Sequence, residues 1–459
     1  MANEIANYVH KHETRLLDEL ITFLRIPSIS TLPEHKDDVE AAAQFTAEAL
    51  GDAGLENIEV IQTGGHPLVY ADWLHAPGKP TVLLYGHYDV QPPDPLELWK
   101  TPPFEPEVRD GNVYARGAAD DKGQFYMHIK AIEALGELRG KLPVNVKFLI
   151  EGEEEIGGAS IASYVPSNRE KLKADVAIVS DTAMYAEGIP TLCVGLRGLI
   201  YTELEATGPM RDLHSGLYGG AAPNPIFGLI EVLAKAKGPD GRILIPGFYD
   251  GVAEPAEAEI RSWKNLPFRE ADFLANEVGS RTLSGEPDRM VLERVWSRPT
   301  LEVHGIAGGF TGTGAKTVIP SKATAKVSFR LVPNQDVDHI VAAWKSFIAA
   351  NTPAGITLHV NVLKGASPAV VVNPDHPAIS VAARAFSEML GCETVFTRSG
   401  GSIPIVGEFA EHLGIPTILM GFGLPDDGLH SPNEKYRVSN YYTGIMTIAH
   451  FLELYGAES

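Results

Sequence analysis

A histidine and an aspartate, His87 and Asp89, follow directly after the apolar run from Thr81 to Tyr85. Such a run is typical of a strand buried on both faces, and ligands of open α/β sheets bind just past the carboxyl ends of these strands. Side chains two residues apart in an extended segment point the same way. The pair therefore suits a metal-binding imidazole whose tautomer is fixed by a carboxylate, although alone it is more typical of a strand ending in a polar turn.

Four further clusters of acidic or histidine residues lie at predicted element ends. They are Asp120 and Asp121 within Arg116–Gly123, the acidic run of Glu151–Gly158, Asp181 after Val179-Ser180, and His430 within Gly421–Glu434. Each cluster has an ordinary structural interpretation, such as a helix N-cap for the paired aspartates or a solvated turn for the glutamates. No single cluster therefore establishes a functional site.

Together, the five clusters favour a metal site, because the carboxyl ends of neighbouring parallel strands meet at one edge of a sheet. Two histidines and several carboxylates, without a cysteine ligand, suit Zn²⁺ or Mn²⁺ in a hydrolytic centre. The expected arrangement is two metal ions about 3.5 Å apart that share one carboxylate.

The elements that must position these residues alternate between strands and helices. Strands are predicted at 57–62, 68–74, 81–86, 144–150, 174–180, 393–397 and 417–420, and helices at 4–25, 37–53, 122–138, from about 158, 377–390, 403–413 and 439–455. This alternation predicts an α/β fold, a mostly parallel sheet with helices on both faces.

The pattern changes near residue 197. Strands are predicted at 199–207, 299–304, 322–332 and 356–363, and helices at 223–236 and 336–350, around an irregular stretch at 238–298. This make-up is typical of a small α+β domain with one open sheet. The sequence therefore predicts a discontinuous domain of residues 1–196 and 367–459, interrupted by an inserted domain of residues 197–366.

Composition limits the possible partners. The 459 residues are too many for one compact core, and a formal net charge of −21 argues against nucleic acid and against anionic membrane surfaces. No signal peptide or membrane-spanning stretch is expected. The two cysteines, Cys193 and Cys392, lie in mainly apolar runs and are expected to be buried free thiols, which fits a reducing cytoplasm.

These motifs resemble the M20 family of co-catalytic metallopeptidases, in particular its cytosolic nonspecific dipeptidase and carnosine dipeptidase branch. The resemblance runs through nearly the whole chain. It is carried by Gly86–Val90, Arg116–Gly123, Glu151–Gly158, Gly421–Glu434, Arg211–Gly216 and Gly314–Pro320. It implies a zinc-exopeptidase-like catalytic domain and an inserted lid and dimerisation domain.

The resemblance also implies the metal ligands. His87, Asp120 and Asp181 would hold one ion, and Asp120, Glu155 and His430 the other. Asp120 would then bridge the two ions, which are expected to be Zn²⁺ or Mn²⁺.

Three further roles at this site are implied in the same way. Glu154 would be the general base acting on a metal-bridging water, and it would pass the proton to the leaving amine. Asp89 would be the partner that orients His87. The peptide bond between Asp120 and Asp121 is expected to be cis.

The inserted domain is expected to contribute substrate contacts. In relatives, the residue that matches His214 reaches into the other subunit's active site, which implies a homodimer. Arg330 would clamp the substrate carboxylate with its planar guanidinium. Thr317 and Ser402 resemble further substrate contacts, and backbone N–H groups at 400–402 could receive a carboxylate.

We therefore expect a di-metal hydrolase that cleaves an amide bond of dipeptides or short peptides with a free C-terminal carboxylate. An N-acyl or N-carbamoyl amino acid hydrolase with the same metals is the alternative within enzymes. A non-catalytic binding or scaffold protein on the same fold predicts loss of ligands or of the base, and here all of them are present.

Overall fold

The computed structural model describes residues 2–363, 365–401 and 403–458. The chain divides into two compact units. The first comprises Met1–Val194, Val372–Thr397 and Pro404–Ser459, and the second comprises Gly195–Val371 and Arg398–Ile403. The short segment 398–403 thus groups with the second unit, whereas the sequence prediction places it in the first.

The strands occur in both units. They are β1 Glu56–Ile61, β2 Leu68–Trp73, β3 Thr81–His87, β4 Glu107–Arg109, β5 Asn112–Tyr114, β6 Asn145–Glu151, β7 Val176–Val179, β8 Thr191–Leu196, β9 Gly198–Thr207, β10 Leu213–His214, β11 Thr300–Gly308, β12 Val318–Ile319, β13 Lys322–Leu331, β14 Thr357–Val362, β15 Val370–Val371, β16 Val395–Ser399, β17 Thr417–Leu419 and β18 Lys435–Arg437.

The helices range from single turns to 23 residues. They are α1 Ala2–Leu24, α2 Lys36–Asp52, α3 Lys122–Arg139, α4 Ala159–Ser167, α5 Arg169–Leu172, α6 Ser215–Tyr218, α7 Pro225–Ala236, α8 Glu257–Asn265, α9 Glu270–Asp272, α10 Val291–Trp296, α11 Val337–Asn351, α12 Pro377–Leu390, α13 Pro404–Glu408 and α14 Val438–Glu458. Additional 3₁₀ turns lie at Pro33–His35, Leu96–Leu98 and Glu154–Ile156, and π-helical turns lie at Phe273–Val278 and Phe409–Leu413.

Proline and glycine set the limits of several helices. Helix α12 begins at Pro377, whose ring fixes φ in the helical range, and ends before Gly391, which takes a left-handed φ of 72°. Helix α3 ends in the same way before Gly140, at a φ of 68°. These limits agree closely with the predicted helices 377–390 and 122–138.

The sheet of the first unit has the strand order β1-β2-β6-β3-β7-β17-β8. The four central strands β6, β3, β7 and β17 run parallel, and the flanking strands pair antiparallel. The register brings the carboxyl ends of the central strands level, because His87 lies opposite Glu151 and Val179 lies opposite both Tyr85 and Leu419. This α/β architecture confirms the predicted fold class.

Helices cover both faces of this sheet. Val82 and Leu84 of β3 are buried in the main core, to which α1, α2, α3, α12 and α14 contribute. Tyr85 points to the other face, where its ring lies 6.1 Å from that of Phe409. On the first face, β3 and α3 approach closely at Gly86, where a Cβ atom would lie 2.2 Å from Cβ of Phe125. Glycine at position 86 therefore lets α3 pack beside His87.

The second unit contains an antiparallel sheet with the order β11-β13-β9-β14. Alternate residues of β9 are buried, and Ile200 and Leu204 join a core with side chains of α7 and α11. Trp344 of α11 packs edge-on against Phe329 of β13, with ring centroids 5.3 Å apart. The second unit therefore consists of one open sheet packed against helices, which is the predicted α+β architecture.

One expectation about the cysteines is wrong. Cys193 is buried, but Cys392 is exposed and donates its thiol to the carbonyl of Gly188 at 3.2 Å. Cys392 follows the glycine that ends α12, so it lies in a turn rather than in the apolar core. Among the described residues, no helix combines the length and apolar character that crossing a membrane requires.

Candidate metal centre

Three candidate ligands from separate segments meet at the carboxyl edge of the first unit's sheet. His87 ends β3, Asp120 lies in the loop before α3, and Asp181 follows β7. Their candidate ligand atoms all lie within 4.8 Å of one another. Because the strands end level, side chains distant in sequence occupy one small volume.

A second group shares one residue with the first. Asp120, Glu155 and His430 also have candidate ligand atoms within 4.8 Å of one another. Oδ1 of Asp120 lies 3.2 Å from Nε2 of His87, and Oδ2 lies 2.9 Å from Nε2 of His430. The two oxygens of Asp120 thus face different histidines, as a carboxylate that bridges two ions requires.

The His87 ring has a defined tautomer. Nδ1 lies 3.1 Å from the backbone carbonyl of Asp89, and a carbonyl can only accept, so Nδ1 carries the hydrogen. Nε2 is then left with its lone pair, buried and without a hydrogen bond although it faces a carboxylate oxygen. A buried lone pair opposite a carboxylate is the donor arrangement that a divalent cation completes.

Asp89 connects His87 to the acidic turn. Its Oδ1 lies 3.4 Å from Nδ1 of His87, and its two oxygens accept the backbone N–H groups of Glu154 and Glu155 at 3.2 and 3.1 Å. Asp89 therefore orients the imidazole from behind and fixes the turn that carries Glu154 and Glu155.

The carboxylates of this edge crowd one another. Burial raises the pKa of Glu154 to about 7, and the nearby Glu155 and Asp120 add to the shift. Burial and the charge of Asp120 likewise raise the pKa of Asp181 and of Asp121. Such a concentration of acids is unfavourable by itself, and a set of oxygen and nitrogen donors without a thiol fits Zn²⁺ or Mn²⁺.

Sequence reasoning missed several supporting residues. Gln91 donates its side-chain amide to Oε2 of Glu155 at 2.8 Å. Gln124 accepts the backbone N–H groups of Phe422 and Gly423 at 2.7 and 3.1 Å, and donates to the carbonyl of Ala119 at 3.0 Å. Gln91 directly follows the motif Gly86–Val90, but nothing in its residue type indicates a contact with a glutamate 64 residues away.

The remaining candidate residues lie in the second unit. His214 is exposed and pairs across β10 and β12 with Val318, and the carbonyl of Thr317 accepts the N–H of Ser215 at 3.0 Å. Arg330 is half-buried on β13, where burial lowers the pKa of its guanidinium. Ser402 lies outside the described residues. The roles given to these four residues therefore stay predictions.

The peptide bond between Asp120 and Asp121 is cis, as the motif predicts. The level edge of the parallel sheet, Asp120 common to both groups and the pair His87 and His430 are the features of a metal-dependent hydrolase. The sequence profile of peptidase family M20/M25/M40 matches residues 83–454, and the chain belongs to this family of metallopeptidases.

Individual relatives cover almost the whole chain. The Cys-Gly metallodipeptidase DUG1 of Candida albicans is 33% identical over 476 residues, which cover 98% of this chain and 96% of that protein. The Beta-Ala-His dipeptidase of Homo sapiens is 31% identical over 472 residues, covering 99% and 93%. The solved structure of the M20 family metallo-carboxypeptidase Sso-CP2 from Sulfolobus solfataricus gives a TM-score of 0.87 at 33% identity, covering 96% of this chain and 99% of that one.

One histidine near the centre has a structural role. His128 is fully buried on α3, and its Nε2 lies 2.7 Å from Oγ of Ser180. That hydroxyl donates its hydrogen to the carbonyl of Met420, so Nε2 of His128 is the donor to Ser180. Burial lowers the pKa of His128 to about 3, which keeps the ring neutral.

The neutral state of His128 predicts a pH effect on stability. Since its folded pKa lies below the unfolded value, acidification through the unfolded pKa favours unfolding, by about 2 kcal/mol between pH 7.5 and pH 5. His128→Gln keeps a donor for Ser180 but cannot titrate. Urea unfolding of metal-free protein at both pH values should show the variant losing about 2 kcal/mol less than the wild type. Equal losses in the two proteins would contradict the neutral assignment.

Proposed function

We propose that this protein is a di-metal dipeptidase that hydrolyses the amide bond of dipeptides or short peptides with a free C-terminal carboxylate. The observation that carries the proposal is Asp120, of which one oxygen faces His87 and the other faces His430. The relatives of the protein support the substrate class, since one is a Cys-Gly metallodipeptidase and another is a Beta-Ala-His dipeptidase.

Five residues would hold the two ions, which we propose to be Zn²⁺ or Mn²⁺. One ion would take His87, Asp120 and Asp181, and the other Asp120, Glu155 and His430. When bound, such a pair supplies a Lewis acid for the scissile carbonyl and a water of lowered pKa.

Glu154 is proposed as the general base. Glu154 is adjacent to Glu155, and Asp89 accepts the backbone N–H groups of both residues. The carboxylate of Glu154 therefore lies at the same edge of the sheet as the candidate ligands. It would accept a proton from the attacking water and deliver it to the leaving amine nitrogen.

The free carboxylate of the substrate is proposed to bind the second unit. A guanidinium can grip a carboxylate with two parallel hydrogen bonds, and this role is given to Arg330. Thr317 and Ser402 would provide further contacts. In a homodimer, His214 would polarise the scissile carbonyl of the substrate bound in the partner subunit's active site. A reducing cytoplasm is proposed as the location, because Cys193 and Cys392 are free thiols.

A substrate panel tests the proposal. Purified protein supplied with Zn²⁺ or Mn²⁺ should hydrolyse Cys-Gly and Beta-Ala-His, and should lose activity when the C-terminal carboxylate is amidated. N-acetyl and N-carbamoyl amino acids are the comparison substrates. Faster turnover of the N-acyl or N-carbamoyl compounds than of every dipeptide would replace the dipeptidase assignment with the alternative.

Replacing Glu154 tests the base. Glu154→Gln should lower kcat on a dipeptide by about 10²–10⁴-fold, because the water loses its proton acceptor, while KM changes little. Glu133→Gln is the matched control, since Glu133 is another partly buried glutamate that pairs with Arg15 and Lys130 elsewhere in the first unit. Both variants must retain the metal content of the wild type. Full activity in Glu154→Gln would refute its role.

A hybrid dimer tests whether His214 acts across subunits. Glu154→Gln and His214→Ala homodimers should each be impaired by about 10²-fold or more. A hybrid with one subunit of each kind contains one intact site if His214 acts in the partner, and it should recover roughly half of the wild-type kcat. Co-expression with two affinity tags isolates the hybrid. A hybrid as inactive as its parents would show that His214 acts within its own subunit and would contradict the role across subunits.

A further inference from the structure

Glu434 is a fully buried carboxylate that the motifs leave without a role. Its Oε2 accepts Nη1 of Arg116 at 2.7 Å and the N–H of Gly117 at 3.0 Å. Its Oε1 accepts the N–H groups of Ala119 and Asp120 at 2.9 and 3.2 Å. Both oxygens are therefore fully engaged by one loop, the segment 116–120 that ends in the shared ligand Asp120.

The same residue stands four positions after His430. Its backbone carbonyl accepts the N–H of Ala115 at 3.1 Å, and the next residues, β18, pair with β5. Asp427 closes the His430 loop at its base, where Oδ1 pairs with Nζ of Lys435 and Oδ2 accepts the N–H of Leu424. Glu434 thus lies at the junction of two loops that each carry a candidate ligand of the same ion.

We propose that Glu434 is a positioning residue that fastens the Asp120 loop to the His430 loop and so pre-forms the metal centre. The proposal rests on the metal centre described above. Asp120 and His430 come from segments 310 residues apart in sequence. Their 2.9 Å contact brings a carboxylate and an imidazole together, but it provides no scaffold of its own. Three of the four hydrogen bonds to Glu434 come from backbone N–H groups and the fourth from the side chain of Arg116, and together they hold that loop in place independently of the ions.

Metal affinity is the readout that separates positioning from general stability. Supporting residues behind metal ligands typically change affinity by 10–100-fold when replaced. Glu434→Gln keeps the size of the side chain but replaces one acceptor oxygen with an amide group. That amide would face N–H donors, so the 116–120 loop must shift. A residue needed only for stability would lower the unfolding midpoint without changing the affinity of the folded protein.

The second unit offers a matched control. Glu286 is also buried and forms a two-pronged pair with Arg298, at 2.7 and 3.1 Å. Glu286→Gln removes one partner of a buried arginine–glutamate pair outside the unit that contains the candidate ligands. Loss of such a pair destabilises by itself, so this variant measures that effect alone.

Isothermal titration of metal-free protein with Zn²⁺, and separately with Mn²⁺, tests the proposal. Glu434→Gln should bind at least one ion about 10–100-fold more weakly than the wild type, and Glu286→Gln should stay within about twofold. Raising the metal concentration should restore activity to Glu434→Gln. Wild-type affinity in Glu434→Gln, or equal weakening in Glu286→Gln, would overturn the proposal.

A folding failure is distinguished by a second variant. Near-ultraviolet circular dichroism checks that each metal-free protein is folded. If Glu434→Gln is not folded, Glu434→Asp is measured instead. Its side chain keeps the negative charge but is one methylene too short to reach all four donors. It should fold and still bind about tenfold more weakly. Wild-type affinity in Glu434→Asp would then overturn the positioning role. A wild-type protein that binds no ion would instead overturn the metal centre itself.

Discussion

The crowding of carboxylates at one edge of a parallel sheet is the constraint on which the structure of the first unit depends. Asp120, Asp121 and Asp181 lie there together with Glu154 and Glu155, beside the imidazoles of His87 and His430. Burying like charges close together is unfavourable, as the raised pKa values of Glu154 and Asp181 show. Divalent cations remove this conflict, so the ligand set and the level strand ends have one common explanation.

The candidate ligands are held by residues behind them rather than by one another. Asp89 fixes the tautomer of His87 and anchors the acidic turn, and Glu434 anchors the loop that carries Asp120. The anchoring contacts of Asp89 with the acidic turn, and most of those of Glu434 with the Asp120 loop, go to backbone N–H groups, which cannot rotate away as side chains can. Side chains of a catalytic site keep their geometry when supporting contacts fix the backbone that carries them. Such contacts are present in the turn that carries Glu154 and Glu155 and in the loop that carries Asp120.

The sequence was sufficient for the parts of the molecule that depend on local pattern. Apolar runs such as 81–86 and 144–150 located the central strands, and the acidic and histidine residues after them located the candidate ligands. Convergence of these side chains on one edge required only that the strands be parallel and neighbouring. The assignment of His87, Asp120 and Asp181 to one ion came from the resemblance to the M20 family. Contacts between distant side chains have no such local signal, so Gln91, Gln124 and Glu434 were found only in the folded structure. The apolar neighbours of Cys392 were equally misleading, because burial is set by where α12 ends rather than by composition.

Metal stoichiometry and dipeptidase activity measured on one sample test the central claim most directly. Metal-free protein titrated with Zn²⁺ or Mn²⁺ should bind two ions per chain, and hydrolysis of Cys-Gly should appear as the sites fill and disappear on chelation. Full hydrolysis by metal-free protein, or saturation at one ion per chain with full activity, would contradict a centre in which Asp120 bridges two ions.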